Sequence, residues 1–141
     1  MEISLRKIKT SDAKYIAKIL SNKEVLKTLD PKHPFPVPID YVKNKIPLDK
    51  ENWKKGSAYK FVILGDDKVV GQISLYNPDK NKKSYEVGYF IGYDYWNKGI
   101  TTNAVKQIIE FGFKKLNLEK VWSVVPKRNP ASIKVLKKAG F

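Results

Sequence analysis

Apolar and polar positions alternate over Glu2–Ile8, with Ile3 and Leu5 on one side and Ile8 after a slip, and predict a first strand. Thr10, Ser11 and Asp12 are N-cap candidates for a helix that carries Ile16, Ile19 and Leu20 on one face. The stretch from Pro31 to Pro38 holds four of the eight prolines and reads as a stiff connector, because proline cannot occupy a helix interior. A weak helical pattern follows at Ile39, Val42 and Ile46, then Asn52-Trp53 and a turn at Gly56-Ser57. Tyr59–Leu64 and Val69–Tyr76 read as two strands joined by a hairpin turn at Gly65-Asp66-Asp67-Lys68. Polar Asn77–Lys83 is a second turn, and Tyr85–Tyr93 is a long aromatic strand. Trp96-Asn97-Lys98-Gly99 breaks that strand, and a helix starting near Thr101 or Thr102 is expected to bury Val105, Ile108, Ile109 and Phe113 or Leu116. Lys120–Val125 is a short β-branched strand. Asn129-Pro130 then opens a last helix, and Gly140 closes it.

This order predicts an α/β domain with a mixed sheet: antiparallel hairpins and one right-handed strand–helix–strand crossover. The length of 141 residues suits a single domain with a real core, and no internal repeat is visible. No apolar run approaches the ~20 residues of a membrane span, and the charged start lacks a signal-peptide core. A cytoplasmic protein with no membrane association is the expectation. The absence of cysteine excludes disulfides, thiolate metal sites and a cysteine nucleophile together. No metal is expected.

Charge changes the picture less than its size suggests. The net charge of +14 favours anionic partners such as phosphates, nucleic acid or acidic protein surfaces. Of the 28 basic residues, however, only Arg6 and Arg128 are arginine. Dedicated nucleic-acid sites usually recruit more of it, so a lysine-biased composition is the simpler account.

Chemistry concentrates at Tyr93–Thr102. A strand runs into a short loop containing Gly99, and the following helix offers its first amides around Asn97–Thr102. Such a junction suits an anion, because unpaired N–H groups and the positive helix end converge there. Thr101, Thr102 and Lys98 add hydroxyl donors and a charge. The loop is neither a Walker loop nor a dinucleotide fingerprint. Read without context, a strand–Gly–helix junction serves structure as often as it serves phosphate binding.

The segment Tyr85-Glu-Val-Gly-Tyr-Phe-Ile-Gly-Tyr-Asp-Tyr-Trp-Asn-Lys-Gly-Ile-Thr-Thr-Asn-Ala-Val105 resembles the central motif of the GNAT acetyltransferases. It is most similar to the subgroup of ribosomal-protein N-terminal acetyltransferases, the Rim type. A second block, Asn129-Pro-Ala-Ser-Ile-Lys-Val-Leu-Lys-Lys-Ala-Gly-Phe141, resembles the N-x-x-S-x-x-V-L-x-K-x-G-F signature of that subgroup. Lys68–Leu75 is similar to the family's third strand. The resemblance implies the GNAT fold, a mixed and mostly antiparallel sheet flanked by helices. It also implies acetyl-CoA as cosubstrate and an amine as acceptor. The backbone N–H groups of Asn97, Lys98, Gly99, Ile100 and Thr101, with Thr102 beside them, would cradle the coenzyme pyrophosphate. The backbone of Phe90, Ile91 and Gly92 would pair with the pantetheine arm, Asn129 would bond its far end, and Ser132 would lie near the sulfur as a candidate proton donor.

Departures from the family pattern bear on the chemistry. Trp96 stands where Arg or Gln is common, Thr101 occupies a position that is usually small, and Leu136 occupies the place of a frequent tyrosine acid. The family's last two strands have no counterpart before Phe141, so the domain spanning 1–141 is expected to be incomplete at its C-terminus. Either a longer natural chain or a second copy in a homo-oligomer would then cover the edge at Val121–Val125.

Acetyl transfer needs a neutral amine, a donor for the oxyanion and an acid for the thiolate. Glu86, at a frequent carboxylate position of the family, is the candidate to take the amine proton through a water; its bland alternative is a solvated strand residue. An α-amine titrates near ~8 and a lysine near ~10.4, so a site without a strong base suits the former by roughly 3 kcal/mol. The acceptor is therefore expected to be a protein or peptide N-terminus, with the ribosome a candidate partner. A polyamine, amino acid or antibiotic amine is the alternative within enzymes. A non-catalytic nucleic-acid, ribosome or coenzyme-A binding module is the alternative outside them. His33 reads as polar surface, and Trp53, Tyr59, Tyr76, Tyr89 and Tyr93 read as core or cross-strand aromatics before they read as an acceptor channel.

Overall fold

The computed structural model describes residues 1–29, 33–79, 81 and 83–122. Five strands form one sheet in the order β1 (Ile3–Lys7), β2 (Tyr59–Gly65), β3 (Lys68–Asp79), β4 (Ser84–Ile91) and β5 (Lys120–Trp122). The first four are antiparallel neighbours, and β5 returns parallel to β4 after a helical crossover. The described helices are α1 (Ala13–Leu20), α2 (Lys23–Leu26), α3 (Ile39–Lys43), α4 (Ile46–Lys55) and α5 (Ile100–Lys115). The mixed sheet flanked by helices is the architecture expected from the sequence. The last helix, Asn129-Pro130 and Gly140, with Val124 and Val125, lies outside the described residues.

Alternation along the strands gives each sheet face its own core. One face carries Val62, Leu64 and Phe90 against Ile16, Ala17 and Leu20 of α1, Val42 of α3 and Ile46 of α4. The other carries Phe61, Ile63, Ile73, Leu75, Val87 and Ile91 against Ile100, Ala104, Val105 and Ile108 of α5. Helices α1 and α5 bury residues at spacings of three and four, Ala13, Ile16, Ala17 and Leu20 in α1 and Ile100, Ala104, Ile108 and Gly112 in α5. The hairpin between β2 and β3 turns through Asp66 and Asp67 at φ 49° and 66°, the double left-handed geometry of a tight two-residue turn.

Several boundaries differ from the sequence reading. Asp12 does not cap α1 with its side chain. It is buried and accepts both Arg6 guanidinium nitrogens at 2.8 Å and the Lys9 amide at 2.8 Å, which ties β1 to the start of α1. The weak pattern at Ile39, Val42 and Ile46 is two helices, and the second includes Trp53 and closes at Gly56 with φ 73°, where the turn was expected. β3 continues to Asp79 through an irregularity at which Asn77 takes φ 51°. Phe113 is 43% exposed, and Gly112 faces the sheet instead. A Cβ at Gly112 would sit 2.9 Å from Leu118 Cδ1, so any side chain there would have to displace the end of Leu118.

Candidate active site

β4 ends earlier than the aromatic run suggests. Its last ladder bond is Gly92 N–H to Val70 O at 2.8 Å. Tyr95 N–H then donates to Gly92 O and Trp96 N–H to Tyr93 O, turning the chain through Tyr93–Tyr95. Trp96 pins this turn: its indole Nε1–H donates to Ile91 O at 3.0 Å, and its ring packs on Tyr93 with centroids 4.9 Å apart. Beyond it Asn97 takes φ 61° and Gly99 φ 76°, two left-handed residues that swing the chain into α5. The helix therefore begins at Ile100 with Gly99 as N-cap, slightly earlier than Thr101.

This geometry leaves a cluster of amides unspent. The first α5 amide with a backbone acceptor is that of Asn103, which donates to Gly99 O at 3.2 Å. Gly99 brings no side-chain oxygen to cap the preceding amides of Ile100, Thr101 and Thr102. A Cβ on Gly99 would meet nothing within 4 Å, so the chain is open at the helix start. Asn97, Lys98 and Gly99 are exposed, whereas Ile100 and Thr101 turn their side chains into the protein. The structure thus sets Asn97 to Thr102 in one left-handed turn into α5, with the first amides of the helix unspent at the positive end of sixteen residues. That donor set fits a pyrophosphate, which needs several N–H groups and room for close approach.

Phe90, Ile91 and Gly92, at the end of β4 and just after it, divide by main-chain direction. In an antiparallel ladder the N–H and C=O of one residue point to the same side, and alternate residues point to opposite sides. Gly92 N–H is spent on Val70, and Phe90, opposite Gln72, faces β3 in the same way. Ile91 faces away from β3, toward the side on which β5 joins β4 further back at Ser84–Glu86. Its carbonyl is held by Trp96.

Glu86 lies on the same strand, on the sheet face opposite α5. Its Oε2 accepts the Tyr76 hydroxyl at 2.6 Å and its Oε1 accepts Asn77 Nδ2 at 3.3 Å. Burial and the bond to the Glu86 carboxylate both push the Tyr76 hydroxyl above the ordinary tyrosine range. The sequence offers Glu86 and Tyr76 separately, but their pairing follows from the cross-strand register Tyr76↔Glu86, a long-range feature. Asn129 and Ser132 lie outside the described residues.

The other tempting groups settle elsewhere. Trp53 and Tyr59 join Phe61 and Phe111 in an aromatic cluster, with ring centroids 5.0 to 6.0 Å apart. His33 Nδ1 lies 3.2 Å from the Tyr41 hydroxyl. A cleft of about 720 Å³ between α1, the β2–β3 turn and Gly92–Tyr95 contains none of the loop amides of Asn97–Thr102. Among the described residues no group of three His, Asp or Glu is placed to hold a metal, and no helix is long and apolar enough to cross a membrane.

Comparison with known proteins bears on the fold and the family. The chain is 30% identical over 141 residues to the uncharacterized N-acetyltransferase p20 of Bacillus licheniformis, covering 99% of this chain and 78% of that protein. The structure of ribosomal-protein-S5-alanine acetyltransferase from Vibrio fischeri superposes with a TM-score of 0.88 at 30% identity, covering 100% of this chain and 80% of that one. Spermidine N-acetyltransferase from Vibrio cholerae, solved with CoA and spermine, shares the fold at 18% identity and a TM-score of 0.80, covering 98% and 79%. With the acetyltransferase (GNAT) domain profile matching residues 2–141, the chain belongs to the GNAT acetyltransferase family.

Proposed function

We propose that the protein transfers an acetyl group from acetyl-CoA to the α-amine of a protein or peptide N-terminus. The observation that carries this reading is the open group of amides at Asn97–Thr102, continuous with an outward-facing main chain at Ile91 and a held carboxylate at Glu86 on one strand. The amides would hold the pyrophosphate and Ile91 would pair with the pantetheine arm, with Phe90 and Gly92 shaping its path. Asn129 and Ser132 retain the roles that the family signature implies. When bound, acetyl-CoA supplies the activated acyl group as a thioester.

The chain's own residues then have to present a neutral amine. Glu86 takes the amine proton through a water, and an α-amine near ~8 asks about 3 kcal/mol less of it than a lysine side chain near ~10.4. The S5-alanine acetyltransferase, at 30% identity, supports an N-terminal acceptor. A second reading, a small amine such as a polyamine, is supported by the neighbour solved with spermine. The net charge of +14 opposes a polycationic acceptor by long-range repulsion. Thiol release from acetyl-CoA, screened against N-terminal peptides, spermidine, amino acids and lysine-containing peptides with blocked N-termini, separates these acceptors. Turnover of polyamines without turnover of peptides would replace the first reading by the second.

A further inference from the structure

Three features of the sheet converge on one carboxylate. Tyr76 and Glu86 are direct cross-strand partners, and the hydroxyl-to-carboxylate distance of 2.6 Å is that of a strong charge-assisted bond. The Tyr76 ring reaches that position by lying over Gly88: a Cβ there would be 2.7 Å from Tyr76 Cε1. Asn77, at φ 51° immediately after Tyr76, brings its amide to the second carboxylate oxygen at 3.3 Å. The Glu-x-Gly spacing of Glu86 and Gly88 therefore has a physical reason. The glycine makes room for the ring that holds the glutamate.

We propose that Tyr76 is a positioning residue for acetyl transfer, fixing Glu86 in one rotamer through Oε2 so that Oε1, only loosely held by Asn77, faces the acceptor proton. This rests on the reading of Glu86 as the proton acceptor. In the step concerned, one proton leaves the acceptor ammonium, passes through a water and comes to rest on Oε1. Tyr76 keeps its own proton throughout. Burial and its carboxylate partner hold that hydroxyl protonated, which makes Tyr76 an orienting donor rather than a substitute for the tyrosine acid whose place Leu136 takes. A half-buried glutamate on a strand has several rotamers of similar energy, and one short bond selects among them.

The test uses Tyr76→Phe, which keeps the ring over Gly88 and removes only the hydroxyl. With the 141-residue chain and a peptide acceptor, kcat should fall about 10-fold while KM for acetyl-CoA stays at the parent value. A loss confined to kcat separates positioning of the carboxylate from a general loss of packing, which would weaken coenzyme binding as well. Gly88→Ala, which displaces the ring, should reproduce this split. Glu86→Gln is the reference arm. If Glu86→Gln lowers kcat strongly but Tyr76→Phe keeps the parent kcat, Tyr76 merely packs and the proposal is overturned. Parent-like kinetics in Glu86→Gln would remove the glutamate from the mechanism, and the positioning role with it.

Discussion

Gly99 offers the most direct test of the coenzyme site. At φ 76° and ψ 1° it occupies the left-handed region, where a residue with a Cβ pays roughly 1–2 kcal/mol and a β-branched one is a genuine outlier. No atom lies within 4 Å of a Cβ built there, so Gly99→Val costs backbone strain but no clash with the protein. A domain with about 5–15 kcal/mol of stability absorbs that cost and stays folded. The same Cβ adds bulk at the N-cap of α5, beside the amides of Ile100 to Thr102 that phosphate oxygens would have to approach. Each hydrogen bond to a charged group contributes about 1.5–3 kcal/mol. Losing one or two of them amounts to roughly 3 kcal/mol, or about 150-fold in Kd. Calorimetric titration with acetyl-CoA should show that loss, and Gly99→Ala a smaller one. Pantetheine, which lacks the pyrophosphate, should bind parent and variant alike. A folded Gly99→Val variant with the parent's acetyl-CoA affinity would place the pyrophosphate elsewhere.

Other expectations follow from single contacts. Glu86→Gln should lower kcat by about 10²-fold and flatten the acid limb of the pH–rate profile, with coenzyme affinity by calorimetry unchanged. Trp96→Phe removes the indole bond to Ile91 O while keeping the stack on Tyr93, so KM for acetyl-CoA should rise about fivefold, the equivalent of ~1 kcal/mol; an unchanged KM would show that the turn holds without it. Burial alone would raise the Asp12 carboxyl, but the Arg6 fork and the Lys9 amide outweigh it and hold the group below the ordinary carboxylate range. The stability this provides is present above the unfolded carboxylate value near ~3.9 and is lost as pH falls through the depressed folded value. Asp12→Asn should cost about 2 kcal/mol near neutral pH, toward the low side because Arg6 is 34% exposed. Thermal melts from pH 6 to pH 2 should show the parent losing this increment and the variant lacking it.

Local pattern carried much of the fold. The 3–4 spacing in α1, the Asp66-Asp67 turn and the Gly99 punctuation each depend on neighbours within a few residues, where steric and hydrogen-bonding rules act without reference to the rest of the chain. The loop from Asn97 to Thr102 was legible for the same reason: a strand, a glycine and a helix start are sufficient to free its amides. What required the tertiary structure was every choice set by partners distant along the chain or by the fit of packed surfaces. Asp12, a plausible cap by sequence, is taken by Arg6 because β1 delivers a guanidinium to it. Gly112 rather than Phe113 is turned inward, against Leu118 and Leu75, because the packing of α5 on the sheet sets which of its faces is covered. Ile91 rather than Phe90 or Gly92 turns its main chain outward because pairing register with β3 sets the alternation. Tyr76 meets Glu86 through that same register, ten residues away along the chain. One residue of slippage would place them on opposite faces of the sheet, so composition and periodicity cannot specify the contact; only the packed sheet does.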